Sequence, residues 1–165
     1  MVSNEMLIDG FGRVRDGIQA AVDSLSVENL SFRPEAKANS IAWLAWHSAR
    51  TQDSQISAAA GTDQVWLSGG WYDKFGLPFD KKATGYGQTS NEVAAVKVSA
   101  ELLTAYYDAV YDATIAYLKQ LKDADFAKVV DQSWDPPVTL AVRLVSVLSD
   151  TLQHAGQAAY IRGLL

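Results

Sequence analysis

The feature that most restricts the fold is one long apolar stripe. Val93, Val96, Ala100, Leu103, Tyr107, Val110, Thr114, Tyr117 and Leu121 follow one another at three- and four-residue steps. A strand cannot keep one face inward at that spacing, so the pattern predicts an amphipathic helix of about eight turns. It opens with Thr89 and Glu92, the spacing of a capping box, in which each side chain satisfies a backbone N–H of the other residue. Leu7, Phe11, Val14, Ile18, Val22 and Leu25 repeat the period and predict a first helix from about Asn4 to Leu25. Gly10, Gly12 and Gly17 weaken its propensity, leaving packing to stabilise it. Asn39 is placed as the N-cap of a second helix ending at Ala60 before Gly61, and Thr139 as the cap of a last helix running almost to the C-terminus. No β-rich run or internal repeat stands out. The expected architecture is an all-α four-helix bundle, one domain over residues 1–165.

The connection between the second and third helices, Gly61 to Gln88, is long and irregular apart from a turn of helix near Thr62–Leu67. Connections of this length within compact domains are functional or disordered. Trp66, Trp71, Tyr72, Phe75, Phe79 and Tyr86 argue against disorder. The expectation is an ordered loop folded over the bundle and reaching towards a second subunit.

Composition removes several classes of function. A net charge of −5 with scattered basic residues argues against nucleic acid, whose affinity rests on clustered Lys and Arg. No apolar segment approaches the roughly 18–20 residues that span a bilayer. The N-terminus lacks the pattern of a signal peptide, and without cysteine there is no disulfide, thiolate metal site or cysteine nucleophile. A cytoplasmic protein acting on a small molecule is the expectation. No Glu-x-x-His pair, His-Glu-x-x-His, Gly-x-Ser-x-Gly or Walker motif is present.

The chemistry-bearing residues are the only two histidines. His47 sits in the apolar run Ile41-Ala42-Trp43-Leu44-Ala45-Trp46-His47, and its helical face includes Ser40, Trp43, Arg50 and Ser54. His154 follows Asp150 by four residues, so the two share a face of the last helix and border its apolar stripe. One reading of Asp150 and His154 is a plain ion pair, tied to Arg50 or Arg143. The other adds His47 from the facing helix to make a His/Asp/His set on a divalent metal, with positions open to water or substrate. Neutral imidazole suits Zn, Ni, Fe or Mn. Trp43 and Trp134 are candidates for lining an apolar pocket over the metal, and Trp66 for closing the end of the bundle. Gln157 shares the face of Asp150 and His154 and is a further candidate contact. Arg50 and Arg162 are candidates for clamping a substrate carboxylate, with a structural salt bridge as the alternative for each.

The segments Arg33-Pro34, Asn39 to His47, Trp134 to Thr139 and Gln153 to Gly163 resemble the DinB/YfiT-like superfamily of metal-dependent four-helix bundles, and the likeness extends over nearly the whole chain. The resemblance implies a metal held by one His of the second helix and a His-x-x-x-His pair of the last. His47 and His154 match, while Asp150 stands where many members carry His. The branch resembling mycothiol-dependent maleylpyruvate isomerase has an acidic residue there. The resemblance implies a homodimer with Zn or Ni, or else Mn or Fe, and a transferase or isomerase using a low-molecular-weight thiol such as mycothiol. A metal-dependent hydrolase and a non-catalytic dimeric bundle binding a small ligand or partner are the alternatives.

Overall fold

The computed structural model describes residues 2–165. Four long helices dominate: α1 (Val2–Val22), α3 (Ile41–Ala60), α7 (Ala100–Leu118) and α8 (Leu140–Arg162). Four short ones, α2 (Val27–Leu30), α4 (Val65–Ser68), α5 (Trp71–Phe75) and α6 (Ser90–Ala95), lie in the connections. Both α1 and α3 pack against α7 and α8, which sets the long helices at the corners of a bundle with α1 diagonal to α3. The all-α bundle is as the apolar stripes predict.

The stripes also form the core. Phe11, Val14 and Ile18 of α1 are buried with Leu44 and Trp46 of α3, Leu103, Tyr107 and Val110 of α7, and Leu144, Val147 and Ile161 of α8. Each large apolar side chain contributes about 1.5–3 kcal/mol relative to exposure. Burial on that scale outweighs the roughly 1 kcal/mol that a helical glycine costs, so α1 accommodates Gly10, Gly12 and Gly17. No helix among the described residues is long and apolar enough to cross a membrane.

Several boundaries differ from the sequence expectation. The first helix stops at Val22 instead of Leu25, with Ser24 at φ 59° reversing the chain. Ser40, and not Asn39, caps α3: its hydroxyl accepts from the Trp43 N–H at 3.1 Å. Both residues are good caps, but Ser40 is the one buried against the orphan donors. The Thr89–Glu92 capping box forms as expected, yet the third helix is not continuous. It breaks between α6 and α7, where Val96 leaves helical geometry at ψ 91°. Val96 and Val98 are both buried while Lys97 between them is exposed, the alternation of extended chain. β-branched residues lose less in that conformation, and Ser99 restarts the helix by accepting from the Leu102 N–H.

The connection before α8 also carries a short antiparallel ladder, β1 (Val129–Asp131) with β2 (Val138–Thr139), which the sequence reading missed. Two strands of three and two residues are too short for a periodic signal. Asp131 accepts from Arg143 at 2.6 Å, docking the ladder on α8. Arg143 is therefore spent there and not on Asp150.

The long loop is ordered. Its first half folds as α4 and α5 around Trp66, whose ring is buried against Trp46, Phe75 and Tyr106. Its second half is an irregular strap, with turns at 81–82 and 86–87, held by one face of α3. Trp43 Nε1 donates to the Gln88 side chain at 2.7 Å, and Trp46 packs on Phe79 with ring centroids 5.5 Å apart. His47 Nδ1 donates to the Thr84 carbonyl at 2.5 Å, and Arg50 Nε to the Ala83 carbonyl at 3.1 Å. These four residues are the i, i+3, i+4 and i+7 positions of one helical face.

Candidate metal centre

α3 and α8 pack side by side, and this brings His47 opposite Asp150 and His154, which stand one turn apart. One ligand atom from each of the three lies within 4.8 Å of the others. The imidazole centroids are 4.9 Å apart, with the rings at 71°. A tetrahedral ion with bonds of about 2.1 Å sets its ligands roughly 3.4 Å apart, so a small inward movement of the side chains suffices to hold one cation.

Hydrogen bonds place a proton on Nδ1 of both imidazoles. The partner of His47 Nδ1 is the Thr84 carbonyl, which only accepts, so Nδ1 carries the proton and Nε2 presents a lone pair. The Gln157 amide oxygen, at 3.0 Å, accepts from His154 Nδ1 in the same way. His154 Nε2 then faces Asp150 Oδ1 at 3.5 Å. The other carboxylate oxygen, Asp150 Oδ2, is buried without a hydrogen-bond partner. A buried carboxylate oxygen left unpaired is costly, and a bound cation removes that cost. The donor set and the orphaned oxygen both fit a divalent metal.

Electrostatics distinguish the two histidines. Burial holds the His47 pKa below the ordinary imidazole value, despite its bond to Thr84, so the ring stays neutral. Burial also lowers that of His154, but the interactions with Asp150 and Gln157 outweigh it and leave the pKa raised. The His154 imidazole in turn holds the Asp150 carboxyl below its usual range. The pocket thus favours a positive charge beside Asp150.

Trp43 covers the centre from one side, stacked on His47 at 4.5 Å and 15° and meeting His154 edge-on at 6.2 Å. On the other side His47 and Asp150 open into a cavity of about 160 Å3 with Thr51, Ser54, Gln55, Thr84 and Tyr86. That volume holds about five waters, room for a reacting group and not for a whole drug-sized ligand. A larger groove of about 830 Å3, bordered by Lys37, Leu44, Gln157 and Tyr160, runs past the far side of Gln157.

The remaining expected contacts are placed differently. Arg50 is fully buried, its guanidinium 4.8 Å over the Trp66 ring, bonded to Ala83 and Gln64 and 3.5 Å from Asp53. It has no face towards the cavity. Arg162 donates to the carbonyls of Ala21 and Asp23 and ties down the end of α1. Neither arginine is free to clamp a substrate carboxylate. Trp134 is 65% exposed in the turn between the two strands and does not line the cavity. That turn lies beyond the start of α8, and Leu140 to Asp150 alone spans about 15 Å of helix. Gln157 acts on His154, as described.

Sequence reasoning expected the long loop to shape the pocket but named none of its contacts there. Thr51 and Ser54 follow His47 by four and seven residues and were accessible to helical spacing. The Thr84 carbonyl was not, because a backbone acceptor in an irregular segment leaves no mark in residue type.

Residues 11–158 match the DinB superfamily, and the chain belongs to it. The crystal structure of a conserved protein from Enterococcus faecalis is similar over 97% of this chain and 95% of that one, with 35% identity and a TM-score of 0.91. A search of curated proteins found no match.

Proposed function

We propose that this chain is a divalent-metal enzyme that uses a low-molecular-weight thiol, such as mycothiol, in a transferase or isomerase reaction. The observation that carries the metal is the convergence of His47, Asp150 and His154, with both imidazoles donating from Nδ1 and Asp150 Oδ2 left for a cation. Three protein ligands leave coordination positions open, as catalytic sites require. Zn or Ni suits two imidazoles and one carboxylate, and Mn or Fe is compatible with them. A divalent ion held there supplies electrostatic stabilisation of a thiolate, the nucleophilic form of a thiol.

The side chains have distinct parts. His47, Asp150 and His154 hold the metal, and Trp43 shields its far side from water. Thr51, Ser54, Gln55 and Tyr86 border the open side and offer neutral hydrogen-bonding groups to the reacting end of a substrate. The groove past Gln157 is of a size to hold a ligand body.

The raised pKa of His154 and the lowered one of Asp150 support a second reading, in which the two form a structural ion pair in a non-catalytic bundle. Elemental analysis of tag-free protein separates the readings. Near-stoichiometric metal that disappears in His47→Ala, Asp150→Ala and His154→Ala supports the enzyme, and a screen for thiol transfer follows. Protein that purifies without metal and refuses Zn, Ni and Mn sinks it.

A further inference from the structure

We infer that Gly85 is a positioning residue for the metal centre: it lets the strap press the Thr84 carbonyl against His47 and so fixes which ring nitrogen faces the metal. The inference rests on the reading that His47 is a ligand, and it adds an outer layer to that site from a different part of the chain.

Contact distance makes Gly85 necessary. A Cβ at this position would lie 2.6 Å from His47 Nδ1, closer than real side chains approach, and 3.1 Å from the Trp43 ring, a tight contact. The backbone adds a second requirement, since φ is +100°, a region that L side chains rarely adopt. Glycine here lets the preceding carbonyl sit 2.5 Å from His47 Nδ1. Trp43, stacked on one face of the ring, adds a second restraint: a flip of His47 would break the bond to the Thr84 carbonyl and disturb that stacking. Neighbouring anchors keep the strap from moving away. Arg50 is bonded to the Ala83 carbonyl and Trp43 to the Gln88 side chain, on either side of Thr84 and Gly85.

The consequence is chemical as well as steric. An acceptor on Nδ1 keeps the proton there, frees Nε2 as a ligand and raises its basicity. Loss of such a partner weakens metal binding about 10–100-fold in comparable sites.

Gly87 supplies the control. It also has positive φ, at +72°, but nothing lies within 4 Å of where its Cβ would be. Gly85→Ala and Gly87→Ala both place an L side chain at positive φ, and only the first reaches His47.

The test is 15N NMR of the imidazole nitrogens in metal-free protein at mildly alkaline pH, beside Zn titration of wild type and both variants by calorimetry. Wild type and Gly87→Ala are expected to show His47 protonated on Nδ1 and to bind Zn alike. Gly85→Ala is expected to lose that tautomer preference and to bind Zn about 10–100-fold more weakly. A wild-type His47 protonated on Nε2 overturns the proposal, whether or not Gly85→Ala folds. So does a Gly85→Ala variant that matches Gly87→Ala in both measurements. If wild type takes no Zn, the metal reading fails by itself, and the tautomer measurement still decides whether the strap sets the ring.

Discussion

Asp150 Oδ1 lies 3.5 Å from His154 Nε2. That is too long for a good hydrogen bond, whose limit is near 3.2 Å, and close to the roughly 3.4 Å between two ligands of one tetrahedral ion. The pair is spaced as co-ligands are.

Zn should therefore stabilise the protein. At a free concentration 100 times Kd, binding contributes about 2.7 kcal/mol and raises Tm by about 5–10 °C for a chain of this size. Asp150→Asn keeps the shape of the side chain and removes its charge, so the shift should largely disappear. Differential scanning fluorimetry of the two proteins with and without Zn measures it. An equal shift in both would place the ion elsewhere.

Gln157→Leu should separate metal affinity from stability. Gln157 is exposed and bonds only His154, so its loss should change Tm little. Zn affinity should fall about 10–100-fold as His154 loses the acceptor on Nδ1. Affinity equal to wild type in a competition titration would show that His154 needs no such support.

Asp53 tests the core beside the site. It accepts from the N–H groups of Val65 and Trp66 and from the Tyr106 hydroxyl, and it faces buried Arg50. Asp53→Ala leaves that guanidinium buried without its counter-charge, a change that costs about 3–5 kcal/mol. Urea denaturation should show the loss. Arg50→Met combined with Asp53→Leu should recover part of it and no more, since the start of α4 still lacks its acceptor.

Acid should destabilise the fold through its surface carboxylates. The Thr89 N–H and hydroxyl hold Glu92 below its usual pKa, Lys128 and the Lys122 N–H do so for Asp125, and Ser133 and Arg143 for Asp131. A carboxylate whose folded pKa lies below its unfolded value contributes stability that is fully present above the unfolded pKa. That contribution disappears as pH falls through the folded one. The urea midpoint should therefore drop below the ordinary carboxylate range, and less steeply in Glu92→Gln. A variant with the wild-type pH profile would remove Glu92 from this account.

The break before α7 offers a smaller check. Ser99→Ala removes the acceptor for the Leu102 N–H and should cost about 1 kcal/mol in the same urea assay. No change would mean that water satisfies that donor.

The sequence disclosed those parts of the molecule that repeat. Apolar residues at helical spacing located all four long helices, and the i, i+4 spacing of Asp150 and His154 puts them side by side on one face of the last. Joining His47 to them needed the packing of α3 on α8, which a periodic pattern implies without specifying the register. The break at Val96 was illegible because Val96 fits the helical stripe as well as it fits extended chain; the choice depends on Val98 also turning inward. Arg50 and Arg162 were misplaced for a related reason. An arginine on an inward face reads the same whether its partner is a substrate, a buried aspartate or the carbonyls of another helix.

The strap holds α3 partly through main-chain atoms, with Ala83 and Thr84 contributing carbonyls and not side chains. Residue types at these two positions can drift over evolutionary time while the acceptors stay in place. Inserting or deleting one residue between Phe79 and Gln88 would instead shift every carbonyl relative to Arg50 and His47. Among distant relatives, the length of this segment should be kept more strictly than its lettering, and a changed length should mark the lineages that have lost these two contacts.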